Sequence, residues 1–477
     1  MFDKNIYKDY LWLVYTNMEK IFNPKSVAVI GASHEKEKVG RLIYDNLIGN
    51  SKLKIYPVNV KGGKINGERV YSSVSEIEDE VDVGIIVVPA KVVPVVLEEV
   101  GEKGIKNAVI VSAGFGEVGN KKLEEELERV AEKYGIKIVG PNCMGVINPY
   151  SEMNASFFKK IPPKGKVAFL SQSGAIGSSI LDKDISLSGF VSLGNMLNSG
   201  FDDWIDYFSK DDNTNTLMLY IEDVKDGEKF FESVKKCDKN IVALKSGKSL
   251  KGMEAAKSHT AALASDYNVY KGIFEQLGIV EVDNIYDLTR AARVLSIHPN
   301  LTGKKACIVG NAGGLGVLAS DYAEKYKIDL PNLPEDVKKK LNEVMPKQWS
   351  KHNPIDIIGD AKAERYMKAM EVLDLNGCLQ NSSKKNFGQS EFKTAPTRRD
   401  GGENSDWFDF FIIILTPQQM TQPMETAKVI SKLKKPVFAV YSGGEGLGDS
   451  VDYLRKKDVV VFSELENLFR VLGRIVR

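Results

Sequence analysis

Short, wholly apolar, β-branched runs recur along the chain, separated by stretches with helical spacing. The first is Ser26–Ile30 (SVAVI), followed by Ile55–Val60, Val83–Val88, Ala108–Val111 and Ile136–Val139. Gly, Pro or Ser turns follow them, and helical stretches such as Lys91–Lys103 and Lys121–Tyr134 come next. A strand that is apolar on both faces must be covered on both, so the alternation predicts parallel sheets between layers of helices. This series closes near Pro149. A second begins at Lys166 (KVAFL) and runs through Phe190–Leu193, Leu217–Ile221 and Ile241–Leu244 to a helical stretch from Tyr267 to about Ser296. After a linker at Pro299–Lys304, a third starts at Lys305 (KACIVG) and includes Ile355–Ile358, Phe410–Leu415, Val437–Tyr441 and Val459–Phe462. The pattern predicts an α/β chain of three doubly wound domains, over 22–150, 160–298 and 303–477.

Two segments depart from it. From Asp374 to Asp406 apolar periodicity gives way to Asn, Ser, Lys, Gly and Gln, which reads as a surface insertion, with a partner-binding loop as the other reading. Residues 1–17 precede Phe22-Asn23-Pro24, where the first domain is expected to begin, and are placed outside its core.

Composition narrows the function classes. Lys and Arg number 65 against 64 Asp and Glu, a balance that argues against a dedicated nucleic-acid or anionic-membrane binder. The four Cys (Cys143, Cys237, Cys307, Cys378) are far apart and form no CxxC pair, so neither a disulfide framework nor a metal site is expected, and a cytoplasmic location fits. No apolar run reaches the roughly 18 residues a membrane span needs, and the first twenty residues lack the apolar core of a signal peptide.

Three strand ends carry small-residue turns: Gly31-Ala32-Ser33, Ser171-Gln172-Ser173-Gly174 and Asn311-Ala312-Gly313-Gly314. A helix start after such a turn offers free N–H groups and the positive end of its dipole to an anion, with Ser171 and Ser173 adding hydroxyls. The competing reading is steric, a tight turn that simply needs Gly. The first turn does not complete GxGxxG, which disfavours a dinucleotide dehydrogenase.

Of four His, His34, His298 and His352 read as loop or linker residues. His259 lies in a segment of small residues, Ser258-His259-Thr260-Ala261-Ala262, after an apolar strand and before a helix, so it is placed in a loop at a carboxyl sheet edge, where sites form. Neutral imidazole is a good nucleophile for phosphoryl groups, and Gly-rich helix starts supply the anion-binding groups a phosphorylated ring needs. Glu222 ends the strand LMLYIE; it is either a surface carboxylate or the acceptor of the second imidazole N–H, fixing the tautomer.

Taken in order, a strand ending in GAS, then VGPNCMG (Val139–Gly145), LSQSGA (Leu170–Ala175), YIE (Tyr220–Glu222), SHTAALA (Ser258–Ala264), GNAGGLGV (Gly310–Val317) and NPIDIIGDA (Asn353–Ala361) resemble the α-subunit of ADP-forming acyl-CoA synthetases, relatives of the succinyl-CoA synthetase α-subunit. The resemblance implies a Rossmann-like CoA-binding domain followed by two flavodoxin-like domains. It puts Gly31, Ala32, Ser33 and Lys61 at the CoA phosphates, Pro89 and Ser112 on later loops of the same site, and Asn142 and Cys143 near the thiol end, with Cys143 as wall rather than nucleophile. It makes His259 the phosphorylated residue, Glu222 its steadying carboxylate, and Ser171–Gly174 and Asn311–Gly314 the helix starts that hold phosphate.

The implied reaction is acyl-CoA + ADP + phosphate ⇌ acid + ATP + CoA through an acyl phosphate and phosphohistidine, with Gly247 and Gly252 as hinges of the loop that carries His259. ADP/ATP and Mg²⁺ are expected on a separate ATP-grasp β-subunit, in a heterotetramer. The alternatives are a succinyl-CoA-type ligase subunit and a non-catalytic CoA-binding regulatory protein.

Overall fold

The computed structural model describes residues 16–183, 185–260, 266–374, 407–444 and 446–476, with the backbone alone at 256–260. The expected segment 1–17 and the 374–406 stretch fall almost wholly outside the described residues. Two compact units are present, Met1–Ala292 and Arg293–Arg477.

The first unit holds a two-stranded hairpin of Lys64–Ile65 with Glu68–Arg69 and two large sheets. One consists of β1 (Ser26–Ile30), β2 (Lys54–Val58), β3 (Val83–Ile86), β4 (Asn107–Ile110) and β5 (Lys137–Val139), all parallel in the order β2-β1-β3-β4-β5. Helices α1 (Val39–Leu47), α2 (Val93–Glu102) and α3 (Lys121–Tyr134) connect these strands. The second sheet is built from β6 (Gly145–Asn148), β7 (Met153–Ser156), β8 (Lys164–Ser171), β9 (Leu187–Ser192), β10 (Thr216–Ile221), β11 (Asn240–Lys245) and β12 (Val280–Glu281), in the order β12-β11-β10-β8-β9-β6-β7. From β8 to β12 its strands are parallel, while β6 runs antiparallel to β9 and pairs with β7 as a hairpin.

That hairpin differs from the sequence expectation, which closed the first series near Pro149. It escaped the apolar-run criterion because its buried strands carry Asn148, Asn154 and Ser156, whose polar atoms are satisfied internally. The Tyr267–Ser296 stretch is also divided, into a helix Tyr267–Leu277, then β12, then a helix Ile285–Ile297; Gly278, left-handed at φ +72, ends the first helix.

The two sheets of this unit share one core, in which Val27 and Val29 belong to the same cluster as Ala168 and Leu170. Phe22 links them. Its buried ring packs edge-on against Tyr207 at 5.6 Å and Phe208 at 5.1 Å, both on the helix α5 (Phe201–Ser209); helix α4 (Gly174–Leu181) precedes it in the chain. Burying a side chain of this size stabilises by about 1.5–3 kcal/mol.

The second unit holds one parallel sheet of β13 (Ala306–Gly310), β14 (Ile355–Asp356), β15 (Phe410–Leu415), β16 (Val437–Tyr441) and β17 (Val460–Phe462), ordered β14-β13-β15-β16-β17. His298 packs edge-on against Phe438 at 5.6 Å, and its buried Nε2 has no hydrogen-bond partner. Burial lowers its pKa below 6.5, and the nearby Asp458 only partly opposes this. As pH falls through 6.5 the unfolded chain takes up a proton that the folded chain refuses, so this contribution is complete above that pH and declines below it. A pH series of thermal unfolding should therefore show the wild-type melting temperature dropping faster with acid than that of His298→Phe; parallel curves would contradict the assignment.

Candidate active site

The carboxyl ends of β1, β3, β4 and β5 form one edge, where a doubly wound sheet binds ligands. Gly31 leaves β1 at φ +102, and a Cβ there would stand 2.2 Å from the Val87 carbonyl oxygen, so the position admits only glycine. The Gly31 and Ala32 N–H groups both donate to the Val58 carbonyl, at 2.9 and 3.1 Å, and Ser33 Oγ accepts from the Glu35 N–H. Helix α1 starts only at Val39. The turn thus does not feed directly into a helix, and its first two amides are spent within the chain. Pro89 and Lys61 are exposed on neighbouring loops, and the Ser112 hydroxyl donates to the Val88 carbonyl at 2.6 Å. Asn142 sits left-handed at φ +58 directly after the Gly140–Pro141 bond. Cys143 is buried, with Sγ 3.3 Å from the Ile110 carbonyl oxygen, and burial pushes its thiol up to about 12. A thiol so shielded is a poor nucleophile.

The second sheet contributes the opposite side. Ser171, the last residue of β8, is fully buried and donates its hydroxyl to the Ser173 carbonyl at 2.8 Å, so that hydroxyl is unavailable to an anion. Ser173 caps α4, its Oγ accepting the Ile176 N–H, and Gly174 opens the helix. Gln172 turns the other way. Its Oε1 accepts the N–H of Glu222 at 2.5 Å and of Asp223 at 2.9 Å, tying the end of β8 to the end of β10.

Between these edges lies a cleft of about 310 Å³ lined by the predicted Asn142, Gln172 and Glu222. Three further residues that the sequence reading passed over also line it. Asn195 donates to Glu117 Oε2 at 2.7 Å and to Glu124 Oε2 at 3.2 Å, and it accepts from the Asn142 amide at 3.3 Å. It follows Gly194, left-handed at φ +56, at the carboxyl end of β9. The Gly-Asn pair at a strand end was the available signal. Burial alone would raise the Glu117 carboxyl, but Asn195 and the Gly114 and Phe115 N–H groups outweigh it and hold the group below the ordinary carboxylate range.

His259 lies on the last turn of a helix α6 (Leu250–Thr260), and this helix packs against the short 3-10 turn Gly116–Val118 that carries Glu117. A loop was expected there. Met253 to Thr260 contains no Gly or Pro and includes Glu, Ala, Ala and Lys, all strong helix formers, so the backbone stays helical. The His259 imidazole itself lies outside the described side chains. Of the two expected hinges, Gly247 is left-handed at φ +73, whereas Gly252 lies inside α6.

A CoA-binding domain family matches residues 25–149, and a succinyl-CoA ligase-like flavodoxin domain family matches 164–295. The α-subunit of acetate–CoA ligase (ADP-forming) I from Pyrococcus furiosus is 37% identical over 474 residues, covering 97% of both chains. The chain belongs to the ADP-forming acyl-CoA synthetase family. Acetate–CoA ligase (ADP-forming) I from Archaeoglobus fulgidus is 38% identical over 468 residues, 96% of this chain and 63% of that protein, so the present chain spans less than two thirds of that relative's length. A solved structure of a Korarchaeum cryptofilum dinucleotide-forming acetyl-coenzyme A synthetase in complex with phosphate and ADP superposes with a TM-score of 0.85 at 31% identity, over 96% of each chain.

The second unit of this acyl-CoA synthetase chain places the last predicted turn. Asn311 is buried, and its side chain exchanges two 2.9 Å hydrogen bonds with the Thr416 main chain, joining the ends of β13 and β15. These bonds shape the turn. Ala312 precedes a helix α8 (Gly313–Tyr326) without a side-chain cap, so the first-turn N–H groups at Gly313 and Gly314 have no partner within the helix. A second cavity of about 310 Å³, lined by Gly310, Gly313, Ser320, His352 and Asp356, opens beside it. Among the described residues no group of three or more His, Cys, Asp or Glu is arranged to hold a metal, and no helix is long and apolar enough to cross a membrane.

Native protein exposed to iodoacetamide at neutral pH should keep Cys143 unmodified by peptide mass spectrometry, while denatured protein is alkylated there. Rapid alkylation of native Cys143 would mark it as a reactive group after all.

Proposed function

We propose that this chain is the α-type half of an ADP-forming acyl-CoA synthetase and catalyses acyl-CoA + ADP + phosphate ⇌ acid + ATP + CoA together with an ATP-grasp β-subunit, in a heterotetramer located in the cytoplasm. The observation that carries this reading is the convergence of Glu222, Gln172 and Asn142 on one cleft, with the helix bearing His259 packed against a turn of its rim.

CoA lies along the carboxyl edge of the first sheet, past Gly31, Ala32, Ser33, Lys61, Pro89 and Ser112, with its thiol end directed toward Asn142 and the Cys143 wall. Because the Gly31 and Ala32 amides are already bonded, their contribution is the close approach that glycine and alanine permit, and Lys61 supplies the charge. Phosphate attacks the thioester carbonyl carbon and the C–S bond breaks, releasing CoA and leaving an acyl phosphate. A ring nitrogen of His259 then attacks phosphorus; the bond to the acyl oxygen breaks and the acid departs. Glu222 accepts the other imidazole N–H, holding the ring in the reactive tautomer and balancing the positive charge it gains. The N–H groups opening α4 at Gly174, beside Ser173, neutralise the phosphoryl oxygens. The helix start at Asn311–Gly314 in the second unit offers the same kind of donors. ADP and Mg²⁺ bind on the partner in this reading.

With the partner present, His259→Ala should abolish acid-labile labelling from radioactive phosphate plus acyl-CoA while CoA binding survives. Glu222→Gln should slow labelling by about 10–100-fold. Acid-labile label on the His259→Ala protein would overturn the reading.

A further inference from the structure

β10 ends at Ile221, so the main chain of Glu222, Asp223 and Val224 has left its ladder. It is held instead by three side chains. Gln172 takes the N–H groups of Glu222 and Asp223. A helix α7 (Tyr267–Leu277) carries Tyr270, whose hydroxyl accepts the Val224 N–H at 2.9 Å and donates to Asp223 Oδ1 at 2.7 Å. Lys245, the last residue of β11, donates its Nζ to the carbonyls of Glu222 and Ser246, both at 2.6 Å, and its ammonium lies 4.6 Å from the centroid of the Tyr270 ring.

Lys245 is 5% exposed, and burial works against its charge. Two carbonyls can be satisfied by neutral donors at smaller desolvation cost, so a buried lysine here calls for a reason beyond bonding. Its surroundings supply one. Asp223, Glu222 and Glu281 face it, with the Lys248 cation opposing them. The ammonium thus both fixes the Glu222 peptide and sets a positive charge beside the carboxylate that lines the cleft. We propose that Lys245, through its bonds to the Glu222 and Ser246 carbonyls and its stacking on Tyr270, is a positioning residue that aims Glu222 into the cleft.

This rests on the reading of Glu222 as the group that orients His259, and the test separates the two. The full chain with its β partner is assayed as wild type, Lys245→Met, Lys245→Arg, Glu222→Gln and the double variant Lys245→Met/Glu222→Gln. Lys245→Met should lower kcat by about 10–100-fold with KM for acyl-CoA changed less than about two-fold. Lys245→Arg, which keeps donors and charge, should restore most of the rate. In the Glu222→Gln background, Lys245→Met should cost little more. Losses that simply multiply in the double variant, or a wild-type rate in Lys245→Met, would overturn the inference. If Lys245→Met does not fold, Tyr270→Phe carries the test, with a several-fold loss of kcat expected in wild type and none in Glu222→Gln. A fast Glu222→Gln enzyme would instead overturn the reading of Glu222 itself.

Discussion

A peptide that has left its sheet but stays inside the protein must find hydrogen-bond partners or lose a kilocalorie or more for each group left bare. The end of β10 meets that demand with the Gln172 amide oxygen, which takes two consecutive N–H groups. The rest of the cleft follows from this contact. It carries the tie between β8 and β10 past the end of their ladder, where Gln172 and Glu222 both line the cleft. Asn195 does the equivalent across the cleft, where one amide group bridges two carboxylates and a second amide. Without a donor between them, Glu117 and Glu124 would repel each other in a partly desolvated place.

The first unit shows how two sheets come to behave as one body. Their shared core gives each a share of the other's burial, and the β6–β7 hairpin carries the chain from the edge of one sheet into the ladder of the other. A cleft whose walls belong to different sheets needs such rigidity, since hydrogen bonds near 2.7 Å between Asn195 and Glu117 tolerate little drift.

Much of this was legible in the residues. The apolar runs located most parallel strands of the three large sheets to within a few residues, because a doubly covered parallel strand is apolar on both faces. Glu222 and Gln172 were legible from their strand ends and Asn142 through the family resemblance, and all three line the cleft. What escaped were elements whose composition misleads. β6 and β7 bury Asn and Ser, and β12 is two residues between two helices. Side-chain roles were also hidden. A serine in a turn looks like a free donor, yet Ser171 and Asn311 spend their polar atoms on neighbouring backbone, and only coordinates reveal such private partners.

The hairpin carries one more consequence. The CoA-binding family boundary falls at residue 149, between β6 and β7, although both strands extend the second sheet beside β9. Excision at that point would remove β6 with the N-terminal fragment and leave β9 with a bare row of amides and carbonyls. An exposed rim of that kind recruits any available strand, so separately expressed halves would be prone to self-association. The structural seam of this polypeptide therefore lies not at the edge of the CoA-binding family match but beyond the hairpin.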